Sequence, residues 1–249
     1  MSKLIDFTQY FPNLEFDDPT HTYRVGKTKL TSVSKVISEL YEPFDRLGMA
    51  EKYAKSRGFT VEQVLNAWDV ENNVKTQRGS DVHQFAEDYA YAKFVNFTEP
   101  PLPKDKQELA VVQFWNLVEQ TPHLDVVGLE TKFYNEDLRI AGTADVLLQN
   151  NKTGDITIAD FKTNAALHSD FDNGVLKAVG LKNDNFGKYT VQFSLYQLLL
   201  EGATPFKVKN RRLIWLRASK SKYDKNLYQS FSTENVVEPM RKYLKERLK

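Results

Sequence analysis

No cysteine occurs among the 249 residues. Disulfides and thiolate metal sites are therefore excluded, although that absence does not by itself select a compartment. Long apolar runs are missing too: nothing approaches the ~20 consecutive apolar residues that span a bilayer. The first residues, Met1-Ser2-Lys3-Leu4-Ile5-Asp6, lack the basic-then-apolar pattern of a secretory signal. A cytoplasmic protein with no membrane partner is the expectation. No Gly-x-x-x-x-Gly-Lys-Ser/Thr stretch is present, so no nucleotide cofactor is expected and ATP hydrolysis would have to come from a separate partner. An excess of one charge is also lacking, with 34 basic against 33 acidic residues. That near-balance argues against a surface coated in positive charge for non-specific nucleic-acid binding.

What the chain does contain is concentrated in one place. Gly142-Thr143-Ala144-Asp145 is followed, after a polar turn, by Ile158-Ala159-Asp160-Phe161-Lys162-Thr163-Asn164. Residues 142–148 and 156–161 are rich in β-branched and apolar types, and Asn150-Asn151-Lys152-Thr153-Gly154 between them is turn chemistry. The pattern predicts a β-hairpin. Asp160 and Lys162 are two apart and share a face. If Gln149 sits opposite Ile156, antiparallel counting puts Asp145 directly opposite Asp160. Two carboxylates ~4 Å apart repel by roughly 4 kcal/mol at an effective dielectric of about 20. Such a pair calls for a shared proton or a cation, and oxygen ligands suit Mg²⁺ or Mn²⁺. Lys162 beside them would orient or deprotonate water and offset negative charge on a phosphodiester. The same residues also fit a surface hairpin in which Lys162 is merely paired to Asp160.

Asp145, followed on the next strand by Asp160-Phe161-Lys162, resembles the signature of the PD-(D/E)xK nuclease superfamily, and the surroundings resemble its RecB-like exonuclease branch. Arg78-Gly79-Ser80-Asp81-Val82-His83, continuing to Glu87, is similar to that branch's upstream helix motif of a glycine-led turn and a histidine. Gln192-Phe193-Ser194-Leu195-Tyr196 is similar to its downstream Gln-x-x-x-Tyr motif. His21-Thr22-Tyr23, Gly26 and Leu30-Thr31-Ser32-Val33-Ser34 resemble the N-terminal segment of phage exonucleases and of the mitochondrial genome maintenance exonuclease. The chain departs from the pattern in carrying Ala144 where the superfamily name calls for proline, and aspartate at Asp160. The four-cysteine iron–sulfur cluster of several RecB-type nucleases is excluded.

The resemblance implies a metal-dependent DNA exonuclease acting on single-stranded or frayed ends in replication, recombination or repair, in a bacterial or phage-infected cell. Asp145, Asp160 and Lys162 would be catalytic. His83, Asp145, Asp160 and the backbone carbonyl of Phe161 would hold Mg²⁺ or Mn²⁺. DNA with a free end would be the partner, alongside a helicase, recombinase or single-strand-binding protein. The same residues would also serve a structure-selective endonuclease or a non-catalytic DNA-binding protein on a nuclease fold.

Other residues carry supporting expectations. His83 and Glu87 are four apart in a segment, 77–97, with helical periodicity, so they share a face. Glu130 lies on a further predicted strand, 127–134. If the chain turns at Glu136-Asp137, Glu130 faces Thr143 and lies diagonal to Asp145. Glu130 and Glu87 are thus candidate additional metal ligands, with strand-edge or helix-surface charges as the plain alternative. Gln192 and Tyr196 lie at i and i+4 on a predicted helix, 188–201, and are candidate DNA contacts; packing of Tyr196 in the core is the other reading. His21, His123 and His168 are read as structural. Between 207 and 225 the chain carries Lys207, Lys209, Arg211, Arg212, Arg217, Lys220, Lys222 and Lys225 against Asp224, interleaved with aromatics. Such a stretch suits a phosphate backbone with stacking rings for unpaired bases, or a solvated face. Arg211, Arg212, Arg217, Lys220 and Lys222 are the named candidates.

The expected fold class is α/β: a restriction-endonuclease-like core with a central mixed β-sheet flanked by helices, plus a helical N-terminal subdomain. The whole chain, 1–249, is read as a single nuclease domain. About 1–122 forms a hairpin and helical part, punctuated at Pro43, Gly58, Gly79 and the 100–103 loop, and about 123–249 the sheet-containing catalytic core. The 164–187 segment is longer than usual connections, and its Asp170, Asp172 and Asp184 are too scattered for ligands.

Overall fold

A computed structural model describes residues 4–17, 20–168, 174–217 and 225–249. Lys220, Lys222, Asp170 and Asp172 lie outside the described residues. The fold is mixed α/β. Strands β1 (Leu14–Asp17), β2 (Thr22–Val25) and β3 (Thr28–Ser32) form an antiparallel meander. Helices α1 (Val33–Ser38), α2 (Arg46–Arg57), α3 (Val61–Ala90) and α4 (Lys106–Glu119) follow. Next come β4 (Leu124–Asn135), β5 (Ile140–Asn150), β6 (Ile156–Lys162), α5 (Asn185–Ala203), β7 (Val208–Trp215), β8 (Gln229–Ser232) and α6 (Val237–Arg247). The eight strands make one mixed sheet in the order β1-β2-β3-β5-β6-β7-β8, with β4 paired to β5. The β3–β5 and β6–β7 pairs are parallel. Among the described residues no helix is long and apolar enough to cross a membrane.

Strand alternation sorts the core into two layers. Ile156 and Ile158 of β6 pack with α1, α5 and α6 on one face, whereas Ala159 and Phe161 pack with α3 and α4 on the other. On α3 the residues Val82, Phe85, Ala86, Tyr89 and Ala90 recur at helical spacing and are buried against α4 and the sheet. The helix begins with a capping box, in which Thr60 and Gln63 exchange side-chain and backbone hydrogen bonds. It then runs unbroken through 30 residues, about 45 Å. The expected break at Gly79 is absent. Glycine costs a helix interior about 1 kcal/mol relative to alanine, too little to interrupt a helix capped at one end and packed at the other. Residues 69–77, by contrast, are exposed on every side. This stretch joins the body to a small helical arm, where Ala50, Ala54 and Val64 pack between α2 and α3.

The sheet divides at β5. On one edge β5 pairs with β4 along nearly its whole length. On the other edge β3 pairs only with Ile140 and Ala141, and β6 only from Val146 to Gln149. Residues 142–145 therefore lie in a fork with no strand partner on that side. Gly142 is buried there: a Cβ on it would lie 2.8 Å from Tyr196 Cε1 and 2.9 Å from Val33 Cγ2. The absence of a side chain is what lets α1 and α5 close over the fork. Gly142→Ala should therefore destabilise the fold by about 1–3 kcal/mol through overpacking, measured as a lowered midpoint of chemical denaturation. An unchanged midpoint would show that Tyr196 and Val33 give way freely.

Candidate active site

Asp145 occupies the mouth of the fork. The β5–β6 register Gln149↔Ile156 through Val146↔Ala159 is the one expected from the hairpin, and one more step brings Asp145 level with Asp160. Their side chains do not share a face. Ala144 belongs to the α5 layer, but Val146, two residues on, belongs to the α3/α4 layer, so the alternation of β5 changes phase at Asp145. The partner strand changes with it, because Glu130 takes a left-handed backbone, φ 43°, a conformation costly for a non-glycine residue and concentrated at functional sites. Asp145 consequently turns towards α3, and Asp160 stays beneath α5.

Two groups result. On the α3 side, His83, Glu130 and Asp145 bring ligand atoms within 4.8 Å of one another. Asp145 Oδ2 accepts the Phe161 N–H at 2.9 Å and lies 3.1 Å from His83 Nδ1. Both contacts fall on the same oxygen, leaving Oδ1 for another partner. The second group lies beneath α5, where Lys162 Nζ is 2.5 Å from Asp160 Oδ1 and sits 4.6 Å from the centre of the Tyr189 ring. The Lys162–Asp160 contact is an ion pair whose angles leave Oδ1 without a well-formed hydrogen bond. Phe161, expected to contribute its carbonyl, also enters the site through its amide, the donor to Asp145.

Glu130 does not face Thr143 as expected. Lys132 takes that place, and Glu130 falls between the pairs Leu129↔Val146 and Thr131↔Ala144, level with Asp145. The difference arises at the turn, which spans residues 136–139 rather than two residues. Asn135 Oδ1 accepts the Leu138 N–H, Glu136 O accepts the Arg139 N–H, and Arg139 takes a left-handed backbone. Glu87, one helical turn beyond His83, lines the same cleft of about 750 Å³ with Gly79, Ser80, Gln84, Thr143 and Lys132.

The electrostatics follow from crowding of acids. The Asp145 carboxylate raises the His83 imidazole to about 9, outweighing burial. Burial and the neighbouring Asp145 push Glu130 up to about 8. Burial opposes ionisation of Asp145, but His83, Lys162 and the Phe161 amide overcome it and hold this carboxyl low. Burial and Asp145 together raise Asp160 to about 6. For Lys162, burial is outweighed by Asp160 and Asp145, so its ammonium is raised and stays charged. Two carboxylates and an imidazole gathered this closely, with Glu87 and Asp160 adding negative potential, fit a hard divalent cation.

Other expected contacts are placed differently. Tyr196 is 5% exposed and packs edge-on to Phe133, and its hydroxyl accepts from Gln192 Nε2 at 2.7 Å. A ring so enclosed offers no face to a base; Tyr196 backs Gly142 from α5, with Gln192 half-buried beside it. Arg211 is also turned inward, bonding Gln197 at 2.5 Å and the Thr233 carbonyl. It ties β7 to α5 instead of meeting a phosphate. Arg212 opens on the sheet face opposite Asp160, in a separate cavity of about 510 Å³ with Lys209 and Phe114. Of the described basic candidates only Arg217 borders the site, in a groove of about 740 Å³ that meets the cleft at Gly79. His168 pairs with Asp184, the residue that caps α5. His21, read as structural, instead lines the cleft with Phe16 and Tyr23, and Tyr23 Oη bonds Thr143 Oγ1 at 2.8 Å. The signal for these in the sequence was the resemblance of His21-Thr22-Tyr23 and Gly26 to the N-terminal segment of phage exonucleases.

A cation entering this cluster must displace the protons that His83 and Glu130 hold at neutral pH. Mn²⁺ binding at pH 7 should release about one to two protons per ion. Affinity should rise between pH 6 and 9, roughly tenfold per unit for each proton released. Calorimetry in buffers of different ionisation heat reads both quantities. Binding without proton release, with affinity flat across that range, would remove His83 and Glu130 from the ligand set.

No curated protein matches the chain. A crystal structure of a candidate exonuclease from Eubacterium rectale is similar at 13% identity, covering 87% of this chain and 67% of that one with a TM-score of 0.30. That level of likeness leaves the assignment to the family model, that of the PD-(D/E)XK nuclease superfamily, which matches residues 103–249. The matched stretch is more than half of the chain and contains Asp145, Asp160 and Lys162 on β5 and β6. With its mixed sheet, flanking helices and restriction-endonuclease-like core, the chain belongs to the PD-(D/E)XK nuclease superfamily.

Proposed function

We propose that the protein is a DNA exonuclease of the RecB-like branch, dependent on Mg²⁺ or Mn²⁺, working on single-stranded or frayed ends in replication, recombination or repair. The observation that carries this reading is the gathering of His83, Glu130 and Asp145 in an open cleft, with the Asp160–Lys162 pair close enough from the α5 side of the fork to act on Asp145. In this reading residues 1–249 work as one nuclease domain.

His83, Glu130 and Asp145 would hold the ion, with Asp160 and the Phe161 carbonyl completing its surroundings and Glu87 adding negative potential. A bound divalent ion supplies Lewis acidity towards a phosphate oxygen and a low-pKa water. The chain's own groups do the rest. Asp145 Oδ2 is fixed by the Phe161 amide, so its position is set before substrate arrives. The raised pKa of Lys162 suits it to orienting the attacking water and offsetting charge on the phosphate, not to abstracting a proton. Tyr189 and Asp160 hold that ammonium in place. Arg217 and the groove beyond Gly79 offer a course for the strand leaving the site.

Purified protein with Mg²⁺ or Mn²⁺ should degrade labelled linear single-stranded DNA and leave closed circles intact. EDTA should abolish the activity, and Lys162→Ala should lower kcat by roughly 100-fold or more. Cleavage of circles would assign a structure-selective endonuclease. DNA binding without turnover under several metals would assign a binding protein on a nuclease fold.

A further inference from the structure

The wall of the cleft opposite α3 has no part in the chemistry above. It is a file of rings. Tyr23 is buried, and its hydroxyl is bonded to Thr143 Oγ1 at 2.8 Å. Phe16, half-buried, lies over Tyr23 with ring centres 4.6 Å apart and planes 35° from parallel. His21, exposed at the cleft mouth, lies 5.7 Å from Phe16 and takes a left-handed backbone, φ 46°. The Lys132 ammonium sits 5.5 Å from the centre of the Phe16 ring. All four residues line the same cleft as His83, Glu130 and Asp145.

The position of this file is fixed by the sheet. Thr143 is two residues from Asp145 on β5, so the foot of the file stands about 7 Å along the strand from the carboxylate. That is the scale on which a nucleobase is separated from its own phosphate. The cleft, about 750 Å³, has room for a nucleotide, and Phe16, His21 and Tyr23 line it together. Ring faces stack on any base without reading its sequence, and a neighbouring ammonium complements a phosphate. A base paired in a duplex keeps its faces covered by its neighbours.

We propose that Phe16 and His21, with Lys132, form a stacking subsite for the base of the unpaired nucleotide whose phosphate lies at the His83–Glu130–Asp145 cluster. The subsite rests on the reading of the chain as a nuclease acting on DNA and deepens it: an unpaired terminal nucleotide is required because its base must leave the stack to meet Phe16. Thr143 and Tyr23 position the platform without touching substrate.

The test uses the full chain carrying Lys162→Ala, with Mn²⁺, and a single-stranded oligodeoxynucleotide bearing 2-aminopurine at its terminal nucleotide. Stacking on the platform should quench the fluorophore on binding. Adding Phe16→Ala and His21→Ala should abolish the quench and weaken binding roughly 5- to 150-fold, while Phe16→Trp restores both. Mn²⁺ affinity should be the same in all variants and each should keep a cooperative thermal transition above the assay temperature, which separates a lost platform from a lost fold. A quench that persists in the double alanine variant, or that is absent at both ends of the oligonucleotide in the parent protein, overturns the subsite. A quench seen with a wild-type chain that cuts no DNA under Mg²⁺ or Mn²⁺ would keep the subsite and remove the nuclease reading.

Discussion

Everything at the site depends on the fork in the sheet at β5. A strand paired on both edges would spend its amides and carbonyls on neighbours and point its side chains alternately to two closed layers. Residues 142–145 escape that constraint on one edge, because β3 pairs only up to Ala141 and β6 begins at Val146. The Phe161 amide, beyond the last ladder pair, is taken up by the Asp145 carboxylate instead. A backbone donor that would otherwise need another partner thus becomes the device that orients an acid. Gly142 allows the helices to seal the fork from the α5 side, and Thr143 anchors the N-terminal meander through Tyr23.

The acids gathered at the fork are tolerated because they are not equivalent. Asp145 is held ionised by His83, Lys162 and an amide, whereas Glu130 and Asp160 are pushed towards protonation by burial and by Asp145. The lysine and histidine reach the two aspartates from different layers of the protein, and each acts on both. This division brings an ammonium to the fork from the α5 layer and the His83–Glu130–Asp145 cluster to it from the α3 layer. It is a consequence of the phase change at Asp145 and of the left-handed backbone of Glu130.

Much of the hairpin was legible in the sequence because strand period and turn chemistry are local. The register of β5 on β6 follows from the loop between them, and the pairing of Asp160 with Lys162 from alternation. The helix stripe on α3 and the α5 helix were legible for the same reason. The phase change was not, since it needs Glu130 in a conformation that no pattern of residue types announces. The four-residue turn at 136–139 hid the true partner of Glu130, because its stabilising contact is a side-chain bond from Asn135. The burial of Tyr196 and Arg211 depends on where α5 lies over the sheet, which is a matter of tertiary packing. His21 appeared structural because its neighbours in the cleft, Thr143 and His83, are more than sixty residues away in sequence.

The unbroken course of α3 has a mechanical meaning. Arg78 pins the helix to the loop before α4 and to α4 itself through Asp105 and the buried Glu108. From that pin the rod extends roughly 25 Å to its N-terminus in the arm and only about 7.5 Å to His83. Pivoting at Arg78, it is an unequal lever: a sideways push on the arm reaches the imidazole reduced about threefold. The body beyond the pivot, where Val82, Phe85, Ala86 and Tyr89 are packed, resists even that remainder. A displacement of the arm is thus damped before it reaches the His83–Glu130–Asp145 cluster at the fork.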